Sequence, residues 1–435
     1  MRATTSAIWI GLLSVWGSVM APEMTAASGA DAQFEQLLEA RDYIALESRL
    51  SAATGIPDED KRFYSGVLAE RRNSLDAALN LLKPVLADPR AKLTGTETRI
   101  GLTALADCYV KQFRYRDAEE TFDRILRLNG LSASQTKDVL ESRQLMVLLH
   151  DAPAQTVSPG GAFEIPVVRN KIGLMEVPVT VAGQNRSWIF DTGANFSLVT
   201  RSVAEKLQLK LSAERAFVTR TGGVTVSTQT AIIPDLRVGR AEFHNVVVLV
   251  VDDSDFYIPQ LGFQLQEFLG YPVISALQRL SFAPGRLRVL PEATEQAGIT
   301  TLWLEGLTPL IALKVDDREE LFVLDLGARH SYLSRHYFDR HPDYFAGKTA
   351  GSMMFGGAGP AQAVSAYSMA AVTFQLGAAQ TVMKNVPVAA ADTGTVADSA
   401  YGILGQDFLS RFQSFTLDFG AMTMSVGPAT PQPNN

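Results

Sequence analysis

The chain has 435 residues, 46% of them hydrophobic and 20% charged, with a formal net charge of −7 and a single cysteine, Cys108. This length exceeds one ordinary domain and predicts two or three. The acidic balance and the scattered basic residues argue against nucleic acid, whose phosphates need clustered Lys and Arg. One cysteine excludes an intramolecular disulfide.

Arg2 precedes an uncharged apolar run, Ile8 to Met20, and then the small residues TAASGADA. This pattern predicts a secretory signal over residues 1–30, cut after Ala27 or Ala30, because Pro22 argues against a cut after Ala21. The expected setting is exported, in a bacterial periplasm. An uncleaved anchor or a buried helix is the alternative, and only such an anchor would bring the chain to a membrane.

Residues 31–150 read as helical, rich in Ala, Leu, Glu and Arg. Segment 63–86 resembles segment 103–126: Ala78 matches Ala118 and Leu82 matches Phe122, while Ala45 occupies the same place in an earlier piece. Small residues at fixed places let paired helices approach. The pattern resembles tetratricopeptide-type helix pairs, with a plain helical bundle as the alternative, and either could dock a protein partner. Cys108 falls on an apolar stripe and is expected in a core. Residues 151–164 (from DAPAQTVSPGGA onward) read as a linker. Strand-like alternation follows at Val177, Val179 and Val181 and at Ile311, Leu313 and Val315. It divides into lobes at 165–290 and 301–427, joined by a linker at 291–300. Residues 428–435 read as a disordered tail.

The two lobes are an internal repeat. WIFDTGANFSLVT at 188–200 matches FVLDLGARHSYLS at 322–334, pairing Asp191 with Asp325 at an offset of 134. Gly222 and Gly223 pair with Gly356 and Gly357 at the same offset. Gly270 pairs with Gly405, and Gly285 with Gly420, at 135. In each lobe an apolar strand leads to an Asp, a Gly permits the tight turn, and a Gly pair suits a β-hairpin tip. One lobe supplies one carboxylate; two lobes about a pseudo-twofold axis would bring a pair together.

The DTGA motif at 191–194, the RTGGV segment and the apolar-apolar-Gly motif resemble the retropepsin and pepsin clan of aspartic proteases, over about 165–427. The resemblance implies an all-β double-lobed fold behind an all-α N-terminal domain, and an aspartic endopeptidase without cofactor or metal acting on an extended peptide or protein. It makes Asp191 and Asp325 the catalytic pair, supported by Thr192, Gly193, Ala194, Gly327 and Ala328. It makes Thr221, Gly222, Gly223, Phe355, Gly356 and Gly357 the flaps, or in one lobe the vestige of a flap. The chain departs from the pattern at Leu326, where a hydroxyl residue is usual, and no flap Tyr is evident. With Ala194 and Ala328 after the glycines, optimal activity is expected at mildly acidic pH. A catalytically weak or inactive peptide-binding module is the alternative function.

Other chemistries find little support. Asp392-Thr393-Gly394 has no apolar strand before it and reads as a loop. His150, His244, His330, His336 and His341 form no HExxH pair, and no GxSxG elbow exists. The histidines of 330–341 are expected at the surface, and Asp252, Asp253 and Asp255 in a solvated turn.

Overall fold

Seven helices precede the strands in the computed structural model, which describes residues 30–220, 224–291, 301–355, 362–393 and 396–430. They are α1 (Ala30–Glu39), α2 (Tyr43–Ala52), α3 (Asp58–Arg71), α4 (Leu75–Ala87), α5 (Gly95–Lys111), α6 (Tyr115–Leu126) and α7 (Ala133–Leu149). The signal segment expected at 1–30 lies almost wholly outside the described residues. Capping boxes start α5 (Thr94 with Glu97) and α7 (Ser132 with Gln135), each satisfying two backbone N–H groups that a helix start leaves free. Short connections make hairpins of α3 with α4 and of α5 with α6. Ala78, Leu82, Ala118 and Phe122 are all fully buried, as their spacing predicts, and so is the free Cys108. Among the described residues no helix is long and apolar enough to cross a membrane.

Each lobe is a sheet wrapped toward closure. In the first, strand Val224–Val238 pairs with both Met175–Val181 and Ala241–Val251. In the second, Gln362–Leu376 pairs along Ala379–Ala389 and touches Thr308–Val315 at Lys314↔Gln375. A third sheet joins the lobes through Arg279–Ala283 and Phe415–Asp418, which run antiparallel. Ser281 pairs there with Thr416, and 416 − 281 = 135, the repeat offset itself. The pseudo-twofold axis therefore passes between these two residues, whose hydroxyls hydrogen-bond at 3.1 Å.

The segment expected to be a linker is partly sheet. Thr156–Ser158 pairs with the first lobe and Phe163–Pro166 joins the shared sheet, so backbone pairing overrides the loop-like composition. The inter-lobe linker expected at 291–300 lies outside the described residues from 292 onward. Residues 428–430, expected in the tail, are held to the second lobe: Phe412 bridges Ala429, and the Thr430 amide donates to Arg411 O, while residues 431–435 lie outside the described residues. Two local expectations also change. His336 and His341 are half-buried against Tyr337 and Tyr401, and burial pushes His336 down to about 4. Asp252 pairs with Arg201 and Arg215, and Asp253 caps Ser202, so this turn is held by ion pairs and capping bonds.

The helices lie against both lobes. Arg71 bonds Glu70 at 2.5 Å and lies 3.3 Å from both Asp107 and Glu305, while Lys111 also bonds Glu70. Tyr43 donates to Glu305 at 2.6 Å, and Arg72 stacks on Trp303. These contacts fix α2, α3 and α5 to the start of the second lobe. On the first lobe, Thr219 donates to Glu141 of α7 at 3.0 Å, and Lys137 donates to Thr225 at 3.4 Å.

Candidate active site

The chain reaches each Asp through a strand whose closing residues are apolar and buried: Trp188, Ile189 and Phe190 of Gln184–Phe190 in one lobe, and Leu321, Phe322, Val323 and Leu324 of Arg318–Leu324 in the other. The later apolar-apolar-Gly segments run parallel to these strands: Leu269 pairs with Phe190, and Leu404 with Leu324. Asp191 N then donates to Leu269 O, and Asp325 N to Leu404 O, both at 3.1 Å. Gly270 and Gly405 are required where they stand. A Cβ on Gly270 would come within 2.3 Å of the Phe196 backbone, and one on Gly405 within 2.7 Å of Ala328 O. The two amides are held by matching hydroxyls, Ser197 at 3.1 Å and Ser331 at 3.0 Å.

The repeat brings the aspartates together. A Cβ on Gly193 would lie 2.8 Å from Asp325 Cγ, and one on Gly327 would lie 2.4 Å from Asp191 Cγ. Each carboxyl thus sits over the other lobe's glycine, and the two carboxyls are within hydrogen-bonding reach of each other. They are 0% and 3% exposed. Asp325 Oδ1 accepts from Gly327 N at 2.8 Å and Ala328 N at 3.1 Å. Asp191 Oδ1 accepts from Gly193 N at 2.8 Å, while its Oδ2 is buried with no protein donor. Burial pushes Asp325 up to about 6. Burial, and then the charge of Asp325, hold Asp191 well above the usual carboxylate range. Two such groups face to face retain a proton between them.

Thr192 ties the loops across the lobes, donating to Leu324 O at 2.7 Å and accepting from Leu326 N at 3.0 Å. Leu326 is fully buried and offers no such bond. Ala194 and Ala328 are buried beneath the pair, and their carbonyls accept from Tyr271 N at 2.8 Å and Gln406 N at 2.9 Å. Thr221, Gly222, Gly223, Gly356 and Gly357 lie outside the described residues. The arms on either side of them are antiparallel hairpins, paired up to Arg220↔Val224 and to Phe355↔Gln362. Asp392 and Thr393 lie outside any helix or strand, with Thr393 bonded to Asp398. Among the described residues no group of three side chains could hold a metal.

Sequence reasoning missed a second tie. Gln406 Nε2 donates to Leu326 O at 2.7 Å, and Arg169 of the first lobe donates to Gln406 Oε1. This relay crosses the lobes where the second hydroxyl is missing. The only signal was a mismatch in the repeat, Gln406 standing opposite Tyr271 just after the paired glycines.

Residues 177–272, which hold the Asp191 loop but not Asp325, match the family model described as aspartyl protease. No curated protein matches the chain. Among solved structures it is similar to a retropepsin-like aspartic protease from Rickettsia conorii, at 20% identity over 31% of this chain and 92% of that one, with a TM-score of 0.22.

Proposed function

We propose, for a chain whose β-rich part is retropepsin-like and whose first lobe matches the aspartyl protease family, that it is an aspartic endopeptidase working through Asp191 and Asp325. The observation that carries this reading is the crossed pair of buried carboxyls, each seated over the other lobe's glycine, with Asp191 Oδ2 lacking any donor but a shared proton. Asp325, with two amide donors, is the better anion and would act as base on a water. Asp191 would hold the proton and donate it toward the scissile carbonyl oxygen. The water oxygen adds to the carbonyl carbon, its proton passes to Asp325, and collapse of the diol delivers a proton to the departing nitrogen. The peptide would lie extended, pairing its backbone with strand edges. Both carboxyls are buried, so the site must open before a peptide reaches them.

Catalysis needs Asp325 ionised while Asp191 keeps its proton. With Asp325 raised to about 6 and Asp191 higher still, activity should fall as pH drops below about 6, where both carboxyls are protonated. On the alkaline side it should be lost only once Asp191 releases its proton. Cleavage of a peptide library by the purified protein, compared with Asp191→Asn and Asp325→Asn, tests the assignment. Each variant should lose about 10²–10⁴-fold in rate. Equal cleavage by all three would end the protease reading. The burial of the pair and the apolar Leu326 favour a second reading, a peptide-binding module; binding without cleavage by the native chain would select it. The apolar run near the N-terminus supports an exported, periplasmic setting, which cell fractionation checks.

A further inference from the structure

The pseudo-twofold axis relates two corners of the molecule that differ in charge and in cover. Asn195 and Arg329 each stand four residues beyond an aspartate, at the repeat offset of 134. Each meets the turn that opens the opposite lobe. Thr308 donates to Asn195 Oδ1 at 3.1 Å, and a Cβ on Gly173 would lie 3.5 Å from Arg329 Nε. Being related through the dyad, the corners lie on opposite sides of it. Four residues of chain reach at most about 14 Å, and the turns after each Asp shorten that span. An extended peptide centred on the dyad, at about 3.3 Å per residue, therefore comes abreast of a corner by its third or fourth residue on each side.

The helical layer closes one corner. Val110, Phe122, Leu145 and Met146 pack around Asn195 and Leu307, leaving Asn195 only 1% exposed. The other corner lies in solvent and is basic. Arg329, Arg169 and Lys171 are all exposed there, in a protein whose net charge is −7. Arg169 spends one nitrogen on Gly173 O at 2.7 Å and on Gln406, both uncharged. Among the described residues no carboxylate pairs with Arg169 or Arg329. Asp407, in the adjoining short helix Gln406–Leu409, is engaged instead by the amide and hydroxyl of Ser331, by Phe408 N and by the His330 ring at 3.6 Å. Two guanidiniums near enough for Arg329 to depress Arg169, after burial has already done so, repel one another. An anion between them relieves that cost, and a guanidinium fork suits a carboxylate.

Resting on the endopeptidase reading above, we infer that Arg329, with Arg169 beside it, binds a carboxylate of the substrate peptide, three or four residues from the scissile bond on the side away from the helical layer. The carboxylate is an acidic side chain or the peptide's own C-terminus.

Three peptide sets that share a cleaved core distinguish these sources: internal Glu with an amidated end, Gln with an amidated end, and Gln with a free C-terminal acid. The native protein should favour one carboxylate set over the neutral set by about 3- to 10-fold in kcat/KM, between the value of an exposed ion pair and that of a partly desolvated one. Arg329→Ala should bring the ratio to about one, and Arg329→Glu below it. Fluorescence anisotropy of the same peptides on Asp191→Asn measures binding separately from cleavage. Cleavage without carboxylate preference, or a preference unchanged in Arg329→Glu, overturns the arginine site and leaves hydrolysis standing. Binding of carboxylate peptides that depends on Arg329, without cleavage by the native protein, overturns hydrolysis and keeps the site. Neither binding nor cleavage overturns both.

Discussion

The two aspartate loops follow one plan and are held by different chemistry. Around Asp191 the tie is a hydroxyl: Thr192 reaches into the other lobe and bonds both Leu324 O and Leu326 N. Around Asp325 the equivalent residue is Leu326, which contributes only packing, and the tie is an amide relay from Arg169 through Gln406 to Leu326 O. The donors differ as well. Asp325 receives two amides at hydrogen-bonding distance, whereas Asp191 receives Gly193 N and keeps a bare Oδ2. A duplicated half-site can therefore lose a symmetric bond and keep the pair in place, provided that another cross-lobe contact replaces it. The asymmetry also separates the roles of two chemically identical groups.

The crossed glycines offer the largest way to break the pairing. A Cβ from Gly327→Ala would stand 2.4 Å from Asp191 Cγ, and one from Gly193→Ala would stand 2.8 Å from Asp325 Cγ. Both carboxyls are buried, so neither can give way without leaving its partner. Displacements near 1 Å in a reacting group cost about 10²-fold in rate. Each variant should lose that much or more in kcat, Gly327→Ala most, while a thermal melt confirms that it still folds. Native activity in both would mean that the carboxyls do not face each other as described.

Much of this site was legible before any coordinates, because duplication leaves a constant offset in the sequence. The strand before each Asp, the glycine after it and the later apolar-apolar-Gly segment are local requirements of backbone geometry, and all fall where the repeat puts them. What was hidden depends on contacts between segments far apart in the chain. Gln406 carries no motif, and its role needs both Leu326 and Arg169 as neighbours. Likewise Arg71 and Glu305 are 234 residues apart (305 − 71 = 234), and only packing turns them into a buried ion pair. Thr156–Ser158 read as linker because a three-residue edge strand is too short to show alternation.

The shared proton gives a smaller effect with a definite sign. Burial raises Asp325 from 3.8 to about 6 and Asp191 further. Between about pH 4 and pH 6 the unfolded chain has released the Asp325 proton while the folded chain retains it. Stability therefore falls as pH rises through that window, and the full loss is reached above it. The shift corresponds to something on the order of 3 kcal/mol. Asp325→Asn places a permanent N–H donor opposite Asp191 Oδ2 and should flatten this slope. Urea midpoints at pH 4.5 and pH 8 measure it: the native protein should lose more stability than the variant between the two. Equal losses would mean that no proton is held between the lobes.

The subtlest test asks whether the two ties act on one another. Thr192→Val removes a hydroxyl and leaves Leu324 O and Leu326 N buried without it, a cost of about 1–3 kcal/mol. Gln406→Leu releases Leu326 O and the Arg169 nitrogen from the opposite direction, at a cost of about 1–2 kcal/mol. Both ties converge on the segment Leu324–Leu326, so loosening one should change what the other is worth. Urea unfolding of the single and double variants should give a coupling above about 0.5 kcal/mol, because residues in one hydrogen-bond network do not add. Thr192→Ser, which keeps a hydroxyl, should restore most of the loss. Costs that add to within about 0.3 kcal/mol would mean that each loop is held independently, and that the Gln406 relay supports its own lobe without replacing the missing hydroxyl.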